Sequence, residues 1–251
     1  MSQRPCAVVT GASSGIGAAT ALALAASGFD VIACARRLDR LEILSAQNAH
    51  IQAEVLDVTD QLSIDALAAK LIDQNVKVLI NCAGGAFDGA SVLDSDPEIW
   101  RKTYELNVVG TVRMVKAFTP MMEKSGNGHI VIISSTAGHT AYENGGSYVA
   151  AKHGETALAR TLRLELNGRP IRVTEIAPGM VKTEEFSTNR FDGDEARAAK
   201  IYEGVAAPLT AKDVAEAIRW SVTLPAHFNV DSLVIRPVAQ AAQHKVHRTN
   251  K

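Results

Sequence analysis

A serine, a tyrosine and a lysine near the middle of the chain could together move a proton. Ser135 follows the apolar run 128–134, Tyr148 comes 13 residues later, and Lys152 stands four residues beyond it. A free phenol has a pKa of about 10 and is a poor base at neutral pH. A neighbouring ammonium favours the phenolate and lowers that value. A tyrosine paired in this way can pass a proton to or from a substrate oxygen, and a serine hydroxyl can hold the same oxygen in place. The four-residue spacing puts Tyr148 and Lys152 on one face of a helix.

That spacing by itself is common, and a buried tyrosine packing on a helix with a solvated lysine explains it as well. A second group of residues changes the balance. Thr10-Gly11-Ala12-Ser13-Ser14-Gly15-Ile16-Gly17 follows a short apolar segment, 6–10, and precedes an alanine- and leucine-rich segment, 18–27. A strand, a glycine turn and a helix make a phosphate cradle: glycines let the backbone approach a pyrophosphate, and the helix N-terminus offers free N–H groups. The glycines are spaced four and two apart rather than as Gly-x-Gly-x-x-Gly, so the loop alone could be a tight turn. A second strand, 29–35, close behind it favours the dinucleotide reading. That strand ends in Ala35-Arg36-Arg37, where an NAD site would usually place a carboxylate for the ribose hydroxyls. Guanidinium groups suit a 2′-phosphate instead, so NADP is expected rather than NAD. The plain alternative is two solvated charges opening the helix 38–47.

These residues need elements to position them. Apolar segments at 6–10, 29–35, 51–56, 76–80, 128–134, 171–176 and 232–235 alternate with helical segments at 18–27, 38–47, 61–73, 97–123, 149–166 and 211–224. That alternation predicts an α/β fold of the Rossmann type: a doubly wound parallel sheet of about seven strands with helices on both faces. The strand ends would then gather cofactor and chemistry at one edge. A length of 251 residues suits a single domain, 1–251. The net charge of −1 gives no general attraction to nucleic acid. No apolar run approaches the roughly 20 residues of a membrane span. The start, Met1 to Pro5, runs straight into a strand, so no signal peptide is expected. Cys6, Cys34 and Cys82 are far apart and form no Cys-x-x-Cys pair, which suits a reducing cytoplasm. The seven histidines include no His-Glu-x-x-His, and His244 and His247 fall in a polar tail, so no metal is expected.

Together with Asn81-Cys82-Ala83-Gly84, Asn107 and Pro178-Gly179, these motifs stand in the order found in the short-chain dehydrogenases/reductases, and the chain resembles that family over nearly its whole length. The resemblance implies a catalytic set of Ser135, Tyr148, Lys152 and Asn107. Lys152 would also touch the nicotinamide ribose, and Asn107 would distort its helix and hold a water that relays protons to the lysine. It implies phosphate contacts from Gly11, Ser13, Ser14, Gly15, Ile16 and Gly17, and 2′-phosphate contacts from Arg36 and Arg37. Asp57 and Val58 would meet the adenine end, and Asn81, Ala83 and Gly84 would lie beside the cofactor. Pro178, Gly179, Val181 and Thr183 would hold the nicotinamide. Two positions depart from the pattern: many relatives carry Asn where this chain has Cys82, and some NADP-using relatives carry a basic residue where it has Ser14.

Three further stretches narrow the likeness. Glu185-Phe186-Ser187-Thr188-Asn189-Arg190-Phe191-Asp192-Gly193-Asp194, Pro237-Val238-Ala239-Gln240 and Val246-His247-Arg248 resemble the NADP-dependent 3-hydroxy acid dehydrogenases, a subgroup that includes serine and allo-threonine dehydrogenases. This implies a homotetramer that oxidises the β-hydroxyl of a small hydroxy or amino acid, with no nucleic-acid or membrane partner. The polar segment 184–205 reads as a mobile lid that excludes water. Arg190 within it is a candidate cation for a substrate carboxylate, or equally a solvated charge. The tail 237–251 lacks periodicity and is expected to order only against a neighbouring chain. A reductase of another carbonyl class (3-oxoacyl thioester, ketosteroid or xenobiotic ketone) would share all this chemistry. A non-catalytic NADP-sensing scaffold on the same fold could lose Tyr148 or Lys152 freely, and both are present.

Overall fold

The computed structural model describes residues 4–191 and 193–249. β1 (Cys6–Thr10) is buried along its length, and α1 (Gly15–Ala26) follows the glycine turn. β2 (Asp30–Ala35), α2 (Leu38–Ser45), β3 (Ile51–Val55), α3 (Gln61–Lys70) and β4 (Val76–Asn81) continue the alternation. Asp60 caps α3 by accepting from the Leu62 N–H. Asp96 caps α4 (Pro97–Tyr104), whose proline sits at the first turn, where a missing N–H costs nothing. α5 (Gly110–Lys124), β5 (Gly128–Ile133), α6 (Gly146–Glu165) and β6 (Ile171–Pro178) follow. The last part holds β7 (Val181–Lys182), α7 (Phe186–Arg190), α8 (Glu195–Lys200), β8 (Leu209–Thr210), α9 (Ala211–Thr223) and β9 (Ser232–Ile235).

The main sheet has seven strands in the order β3-β2-β1-β4-β5-β6-β9, each pair parallel. Side chains alternate between its faces, and both faces are covered. Val8 joins Ile64, Met114, Phe118 and Leu162 on one face. Ala7 and Val9 join Leu24, Leu41 and Ile218 on the other. β1 lies between β2 and β4, so the winding reverses there and a crevice opens at the C-terminal strand ends. Thr10 ties this point together: its Oγ1 donates to the Ile80 carbonyl at 3.2 Å and accepts from the N–H groups of Cys82 and Ala83 at 3.0 Å.

The structure departs from the sequence expectations in several places. α1 starts at Gly15, inside the glycine loop, rather than at 18, and α6 starts at Gly146, so Tyr148 is already helical. By contrast, the π-helical turn Glu105–Val109 that interrupts the helix 97–123 is the distortion at Asn107 that the family resemblance implies. The lid segment 184–205 contains α7 and α8, and β7 pairs with β8 just outside it. The tail packs on its own chain as far as Thr249. Gln240 is buried and accepts from the Met180 N–H at 2.8 Å, the His247 N–H donates to Ala239 O at 2.7 Å, and the Thr249 N–H donates to Gly204 O at 2.8 Å. Asp192 of the lid and the last two residues, 250–251, lie outside the described residues. Among the described residues no helix is long and apolar enough to cross a membrane.

Candidate active site

One cleft of about 570 Å³ runs along the C-terminal strand ends, from the glycine loop to α6 and the lid. At one end the chain bends into the main-chain shape that glycine favours, with Gly11 at φ +68°. A Cβ on Gly17 would strike the Gly11 carbonyl, so the close packing of loop and helix depends on its absence. Gly15, Ile16, Ser13 and Ser14 complete this wall, and Ala35, Arg36 and Arg37 from the end of β2 stand beside them. Asp57 and Val58 follow β3, and Ala83 and Gly84 follow β4, on the same cleft. Thr59 donates to Asp57 through its N–H at 2.9 Å and its hydroxyl at 2.7 Å. Asn81 does not reach the wall. It is buried in the sheet with its amide donating to Val131 O at 3.4 Å.

Of the two guanidinium groups expected to hold a 2′-phosphate, Arg36 only lines the cleft, while Arg37 holds an oxyanion that comes from the protein itself. Arg37 grips the Glu185 carboxylate with two bonds, Nη1 to Oε1 at 2.9 Å and Nη2 to Oε2 at 2.8 Å. Ser14 donates to the same carboxylate at 3.0 Å, and Arg37 Nη2 also donates to Ser13 Oγ at 2.9 Å. Arg37 first, then Ser14, holds the Glu185 carboxyl below its usual range despite partial burial. A guanidinium and two hydroxyls arranged around one carboxylate make a site that fits a phosphate group. Glu185 belongs to the lid and lies 148 residues from Arg37, so no local pattern reveals the pairing.

At the other end of the cleft, Ser135, Tyr148 and Lys152 come together. Ser135 caps the 3₁₀ turn Thr136–Gly138 after β5: its Oγ accepts from the Ala137 N–H at 3.1 Å and donates to Pro178 O at a long 3.4 Å. The same hydroxyl also favours ionisation of the Tyr148 phenol. Lys152 Nζ is 5.6 Å from the Tyr148 ring centre, donates to Ile133 O at 2.9 Å and lies 2.6 Å from Glu155 Oε2. From the residue types alone, the ammonium is expected to lower the phenol's pKa. Lys152 does act in that direction, but burial is stronger, and the Tyr148 pKa is raised. For Lys152, burial works against the charge, while Glu155 and Tyr148 favour it and leave its pKa raised. Cys82 faces this group too, as a thiol whose pKa burial pushes up to about 12.

Asn107 is fully buried at the π-helical turn and stands behind the cleft rather than on it. Its amide donates to Thr103 O at 2.7 Å and Gly85 O at 2.9 Å, and its oxygen accepts from the Gly85 N–H at 3.1 Å. It therefore braces the Gly84–Gly85 loop beside Lys152. Pro178, Gly179, Val181 and Thr183 line the cleft opposite the glycine loop; a Cβ on Gly15 would touch the Thr183 side chain at 3.5 Å. The lid closes this end. Phe186 packs edge-on against Tyr148 with ring centres 5.5 Å apart. Arg190 reaches the cleft wall but is mainly engaged with protein, donating to Asp88 O at 3.1 Å, Tyr142 Oη at 3.3 Å and Asn144 O at 2.9 Å.

A sequence profile of short chain dehydrogenases matches residues 5–192, three quarters of the chain, including both the glycine loop and the Ser135–Lys152 group. The chain belongs to the short-chain dehydrogenase family. Among known short-chain dehydrogenases and related oxidoreductases, it is 51% identical over 236 residues to an uncharacterized oxidoreductase of Mycobacterium tuberculosis H37Rv, covering 94% of this chain and 92% of that one. It is 38% identical over 245 residues to an NADP-dependent 3-hydroxy acid dehydrogenase of Escherichia coli K12, covering 96% and 98%. A solved structure of serine dehydrogenase in its closed form, complexed with NADP+, superposes with a TM-score of 0.91 at 36% identity, covering 97% of this chain and all of that one.

Sequence reasoning missed Glu155, Glu185 and Gln240. Glu155 had a visible signal: it continues the buried stripe of α6 through Tyr148, Lys152, Ala159 and Leu162 at helical spacing.

Proposed function

We propose that this short-chain dehydrogenase is an NADP-dependent oxidoreductase acting on the hydroxyl or carbonyl carbon of a small substrate, with a 3-hydroxy acid or β-hydroxy amino acid as the favoured class. The observation that carries the reading is the meeting of Ser135, Tyr148 and Lys152 on the same cleft as the glycine loop and the Arg37 site. The NADP-dependent and serine-acting relatives at 36–38% identity support both cofactor and class. NADP would lie between the glycine loop and the Pro178–Thr183 turn, with its 2′-phosphate on Arg37, Ser13 and Ser14. When bound it supplies the hydride acceptor or donor.

The chain's own residues do the rest. Tyr148 takes the hydroxyl proton in oxidation and returns it in reduction. Ser135, whose bond to Pro178 is long, turns its hydroxyl to the substrate oxygen. Lys152 stabilises the phenolate. Asn107 fixes the loop next to Lys152. Phe186 and the rest of the lid cover Tyr148 and keep water out. Arg190 has five N–H donors and spends three on protein, which leaves two for a substrate carboxylate. A homotetramer in the cytoplasm is proposed on the subgroup likeness.

Purified protein offered NADP or NAD with L-serine, L-allo-threonine, 3-hydroxyisobutyrate and 3-hydroxypropionate should reduce NADP with at least one of them, read by reduced-nicotinamide absorbance. Turnover confined to 3-oxoacyl thioesters or ketosteroids would move the substrate to the other carbonyl class. Tyr148→Phe should bind NADPH and show no turnover. A Tyr148→Phe enzyme with most of its activity left would reject the assignment of Tyr148, whereas a wild type that binds NADPH and turns over no substrate would favour the non-catalytic scaffold.

A further inference from the structure

Glu155 is a buried carboxyl that the mechanism above does not use. It lies on α6 one turn beyond Lys152, with 1% of its side chain exposed against 6% for the lysine, and its Oε2 stands 2.6 Å from Lys152 Nζ. Lys152 donates its hydrogen bond to Ile133 O at 2.9 Å, and the ammonium lies between this strand carbonyl and the carboxyl, which meets it as an ion pair. A charge this deep is costly unless paired, and among the described residues Lys152 is the cation within ion-pair distance of it.

We propose that Glu155 is a positioning residue for the reaction: it holds the Lys152 ammonium, and its own charge sets the pH at which the Tyr148–Lys152 pair works. The proposal rests on the assignment of Tyr148 and Lys152 given above. The groups facing Glu155 can all be named. On its own helix are Lys152 and Tyr148. From β6 comes Glu175, a carboxylate already held by the hydroxyls of Ser134, Thr156 and Ser232 and by His139 of the 3₁₀ turn. From the end of β4 comes the Cys82 thiol. Burial raises the Glu155 carboxyl, Lys152 pulls it back and Glu175 adds to the rise, which together leave it at about 7. Its charge therefore changes in the range where such an enzyme operates.

The sign follows from the charges. An ionised Glu155 offsets the ammonium and makes the Tyr148 phenol harder to ionise. Alcohol oxidation needs the phenolate, so its rate falls on the acid side as the phenol takes up a proton. Removing the carboxylate lets Lys152 act on the phenol at full strength.

The test is the pH profile of kcat for oxidation of whichever acid in the panel turns over, measured for the wild type, Glu155→Gln and Glu155→Val. Both variants should move the acid limb to lower pH by about one unit, with little change in the Michaelis constant for NADP. A limb whose height falls while its midpoint stays put, or whose midpoint moves to higher pH, overturns the proposal. Tyr148→Phe separates the two levels. If it has no turnover and the Glu155 midpoints are unmoved, Glu155 alone is rejected; if it is active, the assignment beneath is rejected. A second measurement needs no variant to fold. In the NADP-loaded wild type labelled at glutamate carboxyl carbons, one NMR resonance should titrate near neutrality. Titration of every carboxyl in the ordinary acidic range would overturn the proposal.

Discussion

At Tyr148, burial opposes ionisation while Lys152 and Ser135 favour it, and Tyr142 and Glu155 add to the opposition. Ser135 is the part of this balance that also reaches the substrate. Its Oγ accepts one backbone N–H and gives its proton to a carbonyl at 3.4 Å, so turning that proton toward a substrate oxygen sacrifices little. Ser135→Ala should therefore lower kcat by about 10²–10³-fold, the loss seen when one donor to a developing oxyanion is removed, while NADPH binding measured by fluorescence stays close to wild type. A kcat within a few-fold of wild type would mean that the hydroxyl serves only as the cap of the 3₁₀ turn. Ser135, Tyr148 and Lys152 were legible in the sequence because each is a chemistry-bearing type, and because the glycine loop upstream gave their otherwise common spacing a use. Glu155 was harder to read. A carboxylate three residues from a lysine usually marks a solvated helix face, and only its place on the buried stripe of α6 says otherwise. Asn81 was expected beside the cofactor as part of a backbone motif, and its side chain is instead spent inside the sheet on Val131 O.

The elements were legible where their hydrophobic period is strong and less so where tertiary contacts decide. The inner strands β1, β2 and β5 emerged from apolar runs, since a sheet covered on both faces buries them along their length, whereas the edge strands β3 and β9 are only partly buried. The π-helical turn at Asn107 has no period of its own and was expected only from the family likeness. The lid helices α7 and α8 are short and polar, and what seats them is distant: Phe186 on Tyr148 and Glu185 on Arg37. The last of these contacts bears on the cofactor. Glu185 occupies the donors proposed for the 2′-phosphate, so NADP must displace it, whereas NAD brings no phosphate to that point. Glu185→Gln should then tighten NADP about two- to fivefold, in line with the worth of a partly exposed ion pair, and leave NAD unchanged. Fluorescence titration with both dinucleotides measures this. Equal weakening of the two would show that Glu185 clasps the bound cofactor instead of competing with it.

Over the whole molecule the buried ionisable groups oppose one another. Glu175 has its carboxyl held below the ordinary value of 4.5: burial raises it, but the bonds from Ser134, Thr156 and Ser232 prevail. The unfolded chain then binds the proton more readily, and Glu175 stabilises the fold above about pH 4.5, an effect lost as the pH falls through its folded value. His129 is held well below 6.5 by burial and by Arg172, so it too makes the fold more stable as the pH rises through its range. Glu155 works the other way. With its carboxyl moved from 4.5 to about 7, the folded chain binds the proton more tightly, and stability falls between those two values as the pH rises. These slopes partly cancel in the wild type, so its own pH profile says little about any one group, but the difference between wild type and Glu155→Gln isolates one of them. Across that window the variant should gain stability relative to wild type by up to about 1.4 kcal/mol per pH unit, a rise in relative Tm of a few degrees per unit for a domain of this size. Thermal unfolding of both proteins at a series of pH values measures it. Parallel curves would mean that the Glu155 carboxyl ionises in the fold as it does in the unfolded chain, which its burial against Lys152 and Glu175 does not allow.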